Sequence, residues 1–405
     1  MTAVTVADVR RAREAVADVA WHTPLLPALT LGEPDAGPVL LKAESLQRTG
    51  SFKIRGALAK LHALGDACRN GVVCGSAGNH AQALAAAARA RGVPCEVVMP
   101  AGAPIAKAEG AEALGARVLL AGESVEECVA LARERAAERG EVFVHPFEDP
   151  DVIAGQGTVG LELLEDVPDL ARVIVPVGGG GLASGVGIAI KAARPDAQVI
   201  GVQVETFPGA RESLRAGRPV DLEPPETTIA DGIAVKRPGE LTLSILSEVL
   251  DGIELVSEDE VAEAMVALME RAKLVVEGAG AVGVAALRSG RLGPAPDGAT
   301  VVLLSGGNVD AGLLATVTRR QETQAGRRVA LITKVPDRPG ALARLLSCIA
   351  AEGANLVEVE HVREGIDLHV RQTAVQLVLE TRGRAHADAV LAAIRGDGYE
   401  AQVLR

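Results

Sequence analysis

The sequence predicts an α/β protein with two wound parallel sheets followed by a small α+β tail. Three observations carry this expectation. Between about residue 70 and residue 310, short β-branched runs alternate with Ala- and Leu-rich segments of helical period, separated by Gly or Pro. Glycine-rich loops follow several of the strand-like runs. At Arg319–Arg328 the pattern stops in a polar, highly charged segment, RRQETQAGRR.

Each element follows in order. The amino-terminal stretch MTAVTVADVRRAREAV reads as an amphipathic helix with charges throughout, unlike a basic leader followed by an apolar core. Four runs, Gly71–Gly75, Val93–Met99, Arg117–Ala121 and Glu141–His145, predict strands of a small subdomain spanning about residues 46–150. A second series, Ala171–Val177, Gln198–Val204, Gly252–Val256 and Thr300–Leu304, predicts a larger sheet. Together these make one domain over residues 1–320, with residues 321–328 as a linker. Residues 329–405 then read as strand (Val329–Val335), helix (Gly340–Glu352), strands (Asn355–Arg363 and Val370–Glu380), helix (His386–Arg395) and strand (Tyr399–Leu404), a βαββαβ sandwich.

Composition narrows the function. Apolar residues make up 48% of the chain but aromatics only 1%, so the core is aliphatic. A net charge of −12 argues against nucleic acid as a partner, because such binding relies on Lys and Arg neutralising phosphates. The five cysteines show no metal-ligand spacing, which points to buried thiols in a reducing compartment. No run has the apolar length of a membrane span. The expectation is a soluble cytoplasmic protein.

In an open parallel sheet, ligands lie beyond the carboxyl ends of strands, so the loops there are the candidates. Lys53 in SFKIRGALAKL has apolar and small neighbours that would depress its pKa and expose a nucleophilic amine; the plain alternative is a surface lysine at a helix start. GSAGNHAQ offers Gly75, Ser76, Ala77, Gly78 and Asn79 ahead of a helix opening near His80. This is either an anion site for a substrate carboxylate or a helix capped by Ser or Asn. The four glycines of PVGGGGLASG, Gly178 to Gly181, permit backbone to approach a phosphate, and the loop lacks the Lys-Ser/Thr pair of a nucleotide-triphosphate loop. A tight turn would need only one or two of them. VVLLSGGN delivers Ser305 and Asn308 to the same end of the sheet, where a hydroxyl suits an unprotonated pyridine nitrogen.

SFKIRGA, SAGNHAQ, GGGGL, EGAGAVG and SGGN, in that order, resemble the fold-type II pyridoxal-phosphate (PLP) enzymes, specifically threonine ammonia-lyases with one carboxy-terminal ACT domain. The resemblance covers nearly the whole chain. It implies a two-subdomain catalytic domain like the tryptophan synthase β chain, with the βαββαβ tail as a regulatory ACT domain. It further implies that Lys53 is the Schiff-base lysine, Phe52 flanks the ring and Asn79 meets the ring hydroxyl. Gly178, Gly179, Gly180, Gly181 and Leu182 cradle the phosphate, Ser305 meets the ring nitrogen, and Gly232 and Glu277 lie near the cofactor. Ser76, Ala77, Gly78 and His80 line the substrate carboxylate. The implied reaction converts L-threonine to 2-oxobutanoate and ammonia, or L-serine to pyruvate, with Lys53 taking the α-proton. Serine racemases are similar but carry serine where Ala77 stands, and alanine cannot move a proton. Their divalent-metal site is also incomplete, since Arg211 replaces an expected carboxylate near Glu205; no metal is expected. In the tail, Asp337, Gly340 and Asn355 match residues that bind a free amino acid, with isoleucine or valine as the expected effector and a homodimer or homotetramer as the expected assembly. The rival readings are a serine racemase/dehydratase, a β-replacing synthase and a non-enzymatic amino-acid sensor.

Overall fold

The computed structural model describes residues 4–28, 31, 37–223, 227–293, 297–364 and 367–404. The chain divides into two compact units, Met1–Val309 and Asp310–Arg405.

In the first unit, β1 (Leu25–Pro27) and β2 (Val39–Lys42) come first. They are followed by β3 (Val72–Gly75), β4 (Cys95–Met99), β5 (Arg117–Leu120) and β6 (Val142–Phe143). These last four form a parallel sheet in the order β5-β4-β3-β6. The four predicted strands of the small subdomain are all present, the last shortened to two residues. β7 (Leu170–Pro176), β8 (Gln198–Val204), β9 (Gly252–Val256) and β10 (Ala299–Leu303) join the first two strands in a sheet ordered β1-β2-β10-β7-β8-β9. Only β1 runs antiparallel. β1 and β2 are too short to show a period in sequence; β2 is defined by pairing with β10 and β1 by pairing with β2.

Strands β3, β4, β7 and β10 are buried almost throughout, as expected of parallel strands covered on both faces. The helix Pro150–Asp166 is the central element. It packs on the helices Val6–Val16, Lys53–Leu64 and Gly181–Ala193. Close approach there requires glycine: a Cβ on Gly155 would stand 2.6 Å from the Arg55 carbonyl, and one on Gly185 2.3 Å from that of Ile153.

The second unit has β11 (Arg328–Pro336), β12 (Asn355–Val362), β13 (Gln372–Glu380) and β14 (Gln402–Val403) in an antiparallel sheet ordered β12-β13-β11-β14. The helices Ala341–Ala351 and Arg384–Gly396 supply Leu345, Ile349, Val390 and Ile394 to its core. The βαββαβ order is as predicted. The polar segment before it is not a linker throughout. The helix Ala311–Gln324 runs into it and leaves only Ala325–Arg327 as a turn, with Gly326 at φ +67°. Arg, Gln and Glu are good helix formers, and Val317 and Gln321 are buried along that helix. The break between units falls earlier, after Val309. Among the described residues no helix is long and apolar enough to cross a membrane.

Candidate active site

Lys53 opens the helix Lys53–Leu64. The segment before it is held by the loop after β10. Ser51 bridges Gly306, the Phe52 N–H donates to the Ser305 carbonyl (3.1 Å), and the Gly307 N–H donates to the Gly50 carbonyl (2.8 Å). The lysine and the end of the large sheet are thus tied by backbone. Lys53 Nζ donates to the Pro146 carbonyl at 2.9 Å and lies 5.2 Å from the centre of the Phe52 ring. Burial lowers its ammonium pKa to about 8, and the Glu277 carboxylate opposes the shift. The residue is half-buried, not a surface lysine.

The loop after β3 settles the second choice. The helix Asn79–Arg91 has Gly78 as its N-cap and no side-chain cap, while Ser76 Oγ accepts only the Gly78 N–H, at 3.2 Å. First-turn N–H groups that no side chain caps are what an anion needs. His80 is buried and contacts the Val144 carbonyl at 3.0 Å through Nε2. Burial and the neighbouring Lys53 push its pKa down to about 3, so it is neutral at pH 7 and Nε2–H donates. Ala77 stands in this loop, partly exposed.

The glycine loop after β7 has two explanations, and each glycine takes one. Gly180, at φ +92°, is the N-cap of the helix Gly181–Ala193, which also lacks a side-chain cap. Of the four, it alone has a positive φ. The others make room for protein: a Cβ on Gly178 would stand 3.0 Å from Ile233, and one on Gly179 or Gly181 would meet Phe147 at 2.4 and 3.1 Å. The number of glycines therefore reflects packing, while the N-terminus of the helix, at Gly181 and Leu182, is left without a side-chain cap.

These contacts join the loops into one site. Phe147 follows Pro146, the partner of Lys53. Ile233 follows Gly232, where a Cβ would stand 3.5 Å from Glu277 Oε1. Glu277 is the N-cap of the helix Gly278–Arg288 and accepts from Asn79 Nδ2 at 2.7 Å. Burial raises its pKa to about 7, with Asp231 adding to the shift and Asn79 opposing it. Ser305, two residues beyond β10, is 4% exposed, and its carbonyl accepts from the Phe52 N–H. Sequence reasoning did not foresee the Pro146 carbonyl or Phe147, which lie in a stretch without motif character. It also missed a buried ion network of Lys42, Glu44, Arg55 and Glu162, each at most 7% exposed. The signal available was Arg55, two residues beyond Lys53 in an otherwise apolar run.

The site residues suit one cofactor. A half-buried amine of lowered pKa, an uncapped helix N-terminus for a phosphate, a side-chain amide and a serine hydroxyl match the reactive groups of a pyridine aldehyde phosphate. The model of the family described as "Pyridoxal-phosphate dependent enzyme" matches residues 16–307. The chain belongs to the pyridoxal-phosphate dependent enzymes, and PLP is its cofactor.

Among its relatives, L-threonine ammonia-lyase from Thermotoga maritima is 43% identical over 99% of this chain and the whole of that protein. L-threonine ammonia-lyase from Geobacter sulfurreducens is 46% identical over 91% of each chain. Of the solved structures, a threonine deaminase from the organism abbreviated T.th. is 44% identical, with a TM-score of 0.71 over 76% of this chain and 99% of that one. Maize serine racemase is 33% identical, with a TM-score of 0.73 over 80% of this chain and 99% of that one.

In the second unit, Asp337 pairs with Arg363 at 2.9 Å, Gly340 (φ +86°) is the N-cap of the helix Ala341–Ala351, and Asn355 Nδ2 donates to Glu380 at 3.1 Å. Gly340 and Asn355 flank opposite ends of that helix, roughly 16 Å apart along its axis. One chain does not bring them together. Among the described residues no group of three or more His, Cys, Asp or Glu side chains gathers as metal ligands would.

Proposed function

We propose that the chain deaminates L-threonine to 2-oxobutanoate and ammonia, losing water in the β-elimination and regaining it when the resulting imine hydrolyses, with L-serine to pyruvate as a parallel reaction. The observation that carries this reading is Lys53, half-buried, with its pKa lowered to about 8, beside loops whose helix N-termini lack side-chain caps. The identity of more than two-fifths with proteins called threonine ammonia-lyase or threonine deaminase supports the substrate. When bound, the cofactor supplies the sink for charge developing at the substrate α-carbon.

The residues divide the work. The N–H groups at the start of the helix Asn79–Arg91, with Ser76, Ala77 and Gly78, hold the substrate carboxylate, and neutral His80 keeps the loop tied to Val144. Gly180 through Leu182 hold the phosphate at the helix N-terminus. Ser305 meets the ring nitrogen and Asn79 the ring hydroxyl, with Phe52, Gly232 and Glu277 beside them. Lys53 takes the α-proton as base, aided by a pKa that leaves a usable neutral fraction at pH 7. The departing β-hydroxyl takes up one proton, matching the one that Lys53 removes from the α-carbon, and leaves as water. Ala77 disfavours the racemase alternative, because a racemase needs a second proton-carrying side chain on the opposite face.

The βαββαβ unit is read as an ACT domain binding isoleucine or valine. Since Asp337 and Gly340 lie at one end of the helix and Asn355 beyond the other, a ligand touching both sets requires two copies. Exposed Val357 and Val359 on the edge strand β12 support such pairing and hence a homodimer or homotetramer. The test is a steady-state comparison of L-threonine, L-serine and D-serine, following keto acid and racemisation, alongside Lys53→Ala. Lys53→Ala should fold, lose the cofactor's lysine-linked absorbance and lose turnover; retention of both properties refutes the assignment.

A further inference from the structure

Asn79 is fixed at both ends of its amide. Nδ2 donates to Glu277 Oε1 at 2.7 Å, and Oδ1 accepts from Asn308 Nδ2 at 2.7 Å. The same Asn308 nitrogen donates to the Thr49 carbonyl at 2.8 Å. The direction of this chain is dictated from its far end. A backbone carbonyl only accepts, so Asn308 must turn its NH2 toward Thr49, and the second hydrogen of that group then needs the oxygen of Asn79. Asn79 is left with its NH2 facing Glu277 and one N–H to spare.

We propose that Asn308 is a positioning residue that sets the polarity of the Asn79 amide, so that a donor and not an acceptor is offered to the ring oxygen of the cofactor. This rests on the reading of Asn79 as the residue that meets that oxygen. Two glycines make space for the chain. Gly50 has φ +72°, and a Cβ there would stand 2.2 Å from Asn308 Oδ1; a Cβ on Gly306 would stand 2.3 Å from Glu277 Oε1 and 3.1 Å from Asn79 Nδ2. Both belong to the paired segments that carry Lys53 and Ser305, so the backbone that places the lysine also seats the amide chain. The backbone N–H of Asn308 acts on Glu277 as well, favouring its ionised form and thereby its role as acceptor from Asn79.

A donor to the ring oxygen favours its ionised form. The test is therefore a pH titration of cofactor absorbance in the full-length holoenzyme, comparing the bands of ionised and protonated ring oxygen. Asn308→Ala removes the donor to Asn79, and Asn308→Asp keeps the shape but can only accept. Each should lower the ratio of ionised to protonated form about tenfold, moving the transition up by about one pH unit. Asn79→Ala should produce a shift of similar size, and adding Asn308→Ala to it should move the profile no further, since both act through one amide. A shift in Asn79→Ala with none in either Asn308 variant, or full additivity in the double variant, makes Asn308 only a tether between loops and overturns the proposal. If Asn79→Ala leaves the profile unmoved, the reading of Asn79 fails and the proposal with it. Should Asn308→Asp not fold, Asn308→Ala and the double variant still decide the question.

Discussion

Arg55→Ala should destabilise the first unit severely, for a reason that can be worked from the contacts. The Arg55 guanidinium is 1% exposed and donates to Glu44 Oε2 (2.9 Å) and Oε1 (2.7 Å), to Glu162 Oε1 (2.6 Å) and Oε2 (3.1 Å), to Thr158 (3.2 Å) and to the Trp21 carbonyl (3.0 Å). Lys42 Nζ lies 2.6 Å from Glu162 and donates to the Thr23 carbonyl at 2.7 Å. Two buried cations thus balance two buried carboxylates. Removing Arg55 leaves two carboxylates to one cation, with Glu162 paired to Lys42 and Glu44 holding only the Thr23 hydroxyl and a weaker attraction from Lys42. One uncompensated buried charge costs about 3–5 kcal/mol, a large share of the stability of an ordinary domain. Arg55→Lys keeps the charge but not the fork that spans both carboxylates, so it should lose about 1–3 kcal/mol. The sign with pH follows. Burial pushes the Glu44 carboxyl up, but Arg55 more than reverses this and holds it below its ordinary value. That stabilisation is present above the unfolded pKa and disappears as pH falls through the folded one. Without Arg55 the folded pKa rises above the unfolded one, and the variant recovers as Glu44 takes up a proton. The deficit should therefore shrink between pH 7 and pH 4. Urea unfolding followed by Trp21, the sole tryptophan and itself a partner of the network, measures it. A loss under about 1 kcal/mol at pH 7, or a deficit independent of pH, would show that the network is not balanced in this way. Arg55→Met combined with Glu44→Leu should recover much of the loss, since replacing a buried pair by apolar groups is often near neutral.

Ala77→Ser should raise racemisation of serine relative to elimination, measured as D-serine against pyruvate; a wild-type enzyme that already racemises faster than it eliminates sinks the role given to Ala77. Gly180→Ala places a side chain at φ +92° with its Cβ 2.8 Å from Leu246, so it should cost about 1–2 kcal/mol and weaken retention of the cofactor on dialysis. Unchanged retention would remove the phosphate role from this loop. For the tail, isoleucine or valine should bind the full-length chain and alter its kinetics, and a chain ending at Val309 should keep PLP and lyase turnover but lose the response. Calorimetric titration and kinetics on both decide the matter, and an equal response from the shortened chain excludes the tail as sensor. The cut belongs after Val309 because the helix Ala311–Gln324 belongs to the second unit.

What was legible in the sequence was what local chemistry fixes. The buried strands β3, β4, β7 and β10 announce themselves as apolar β-branched runs, and the glycine loops follow β3, β7 and β10. β1 and β2 did not, because β2 is defined by pairing with the distant β10 and β1 only by adding to β2. The linker was misjudged because polarity was taken for lack of structure, whereas Arg, Gln and Glu form helix readily when one face carries Val317 and Gln321 inward. The site shows the same division. Lys53, Asn79 and Ser305 could be named from motifs, but what gives each its chemistry lies far away in sequence. Lys53 depends on the Pro146 carbonyl and on burial, and Asn79 on Glu277 and Asn308, 198 and 229 residues distant.

That division also explains why four consecutive glycines were an ambiguous sign. The phosphate role proposed for this loop calls for an uncapped helix N-terminus, which is a statement about side chains that are missing, and Gly180 leaves the helix uncapped with a left-handed backbone. Gly178, Gly179 and Gly181 are small because Ile233 and Phe147 press on them. Those two residues adjoin Gly232 and Pro146, so the packing that demands the glycines also connects the phosphate loop to Glu277 on one side and to Lys53 on the other. A larger residue at Gly179 would displace Phe147 and, through Pro146, the carbonyl that receives the Lys53 amine. The glycines are therefore as much a condition for positioning the lysine as for admitting a phosphate.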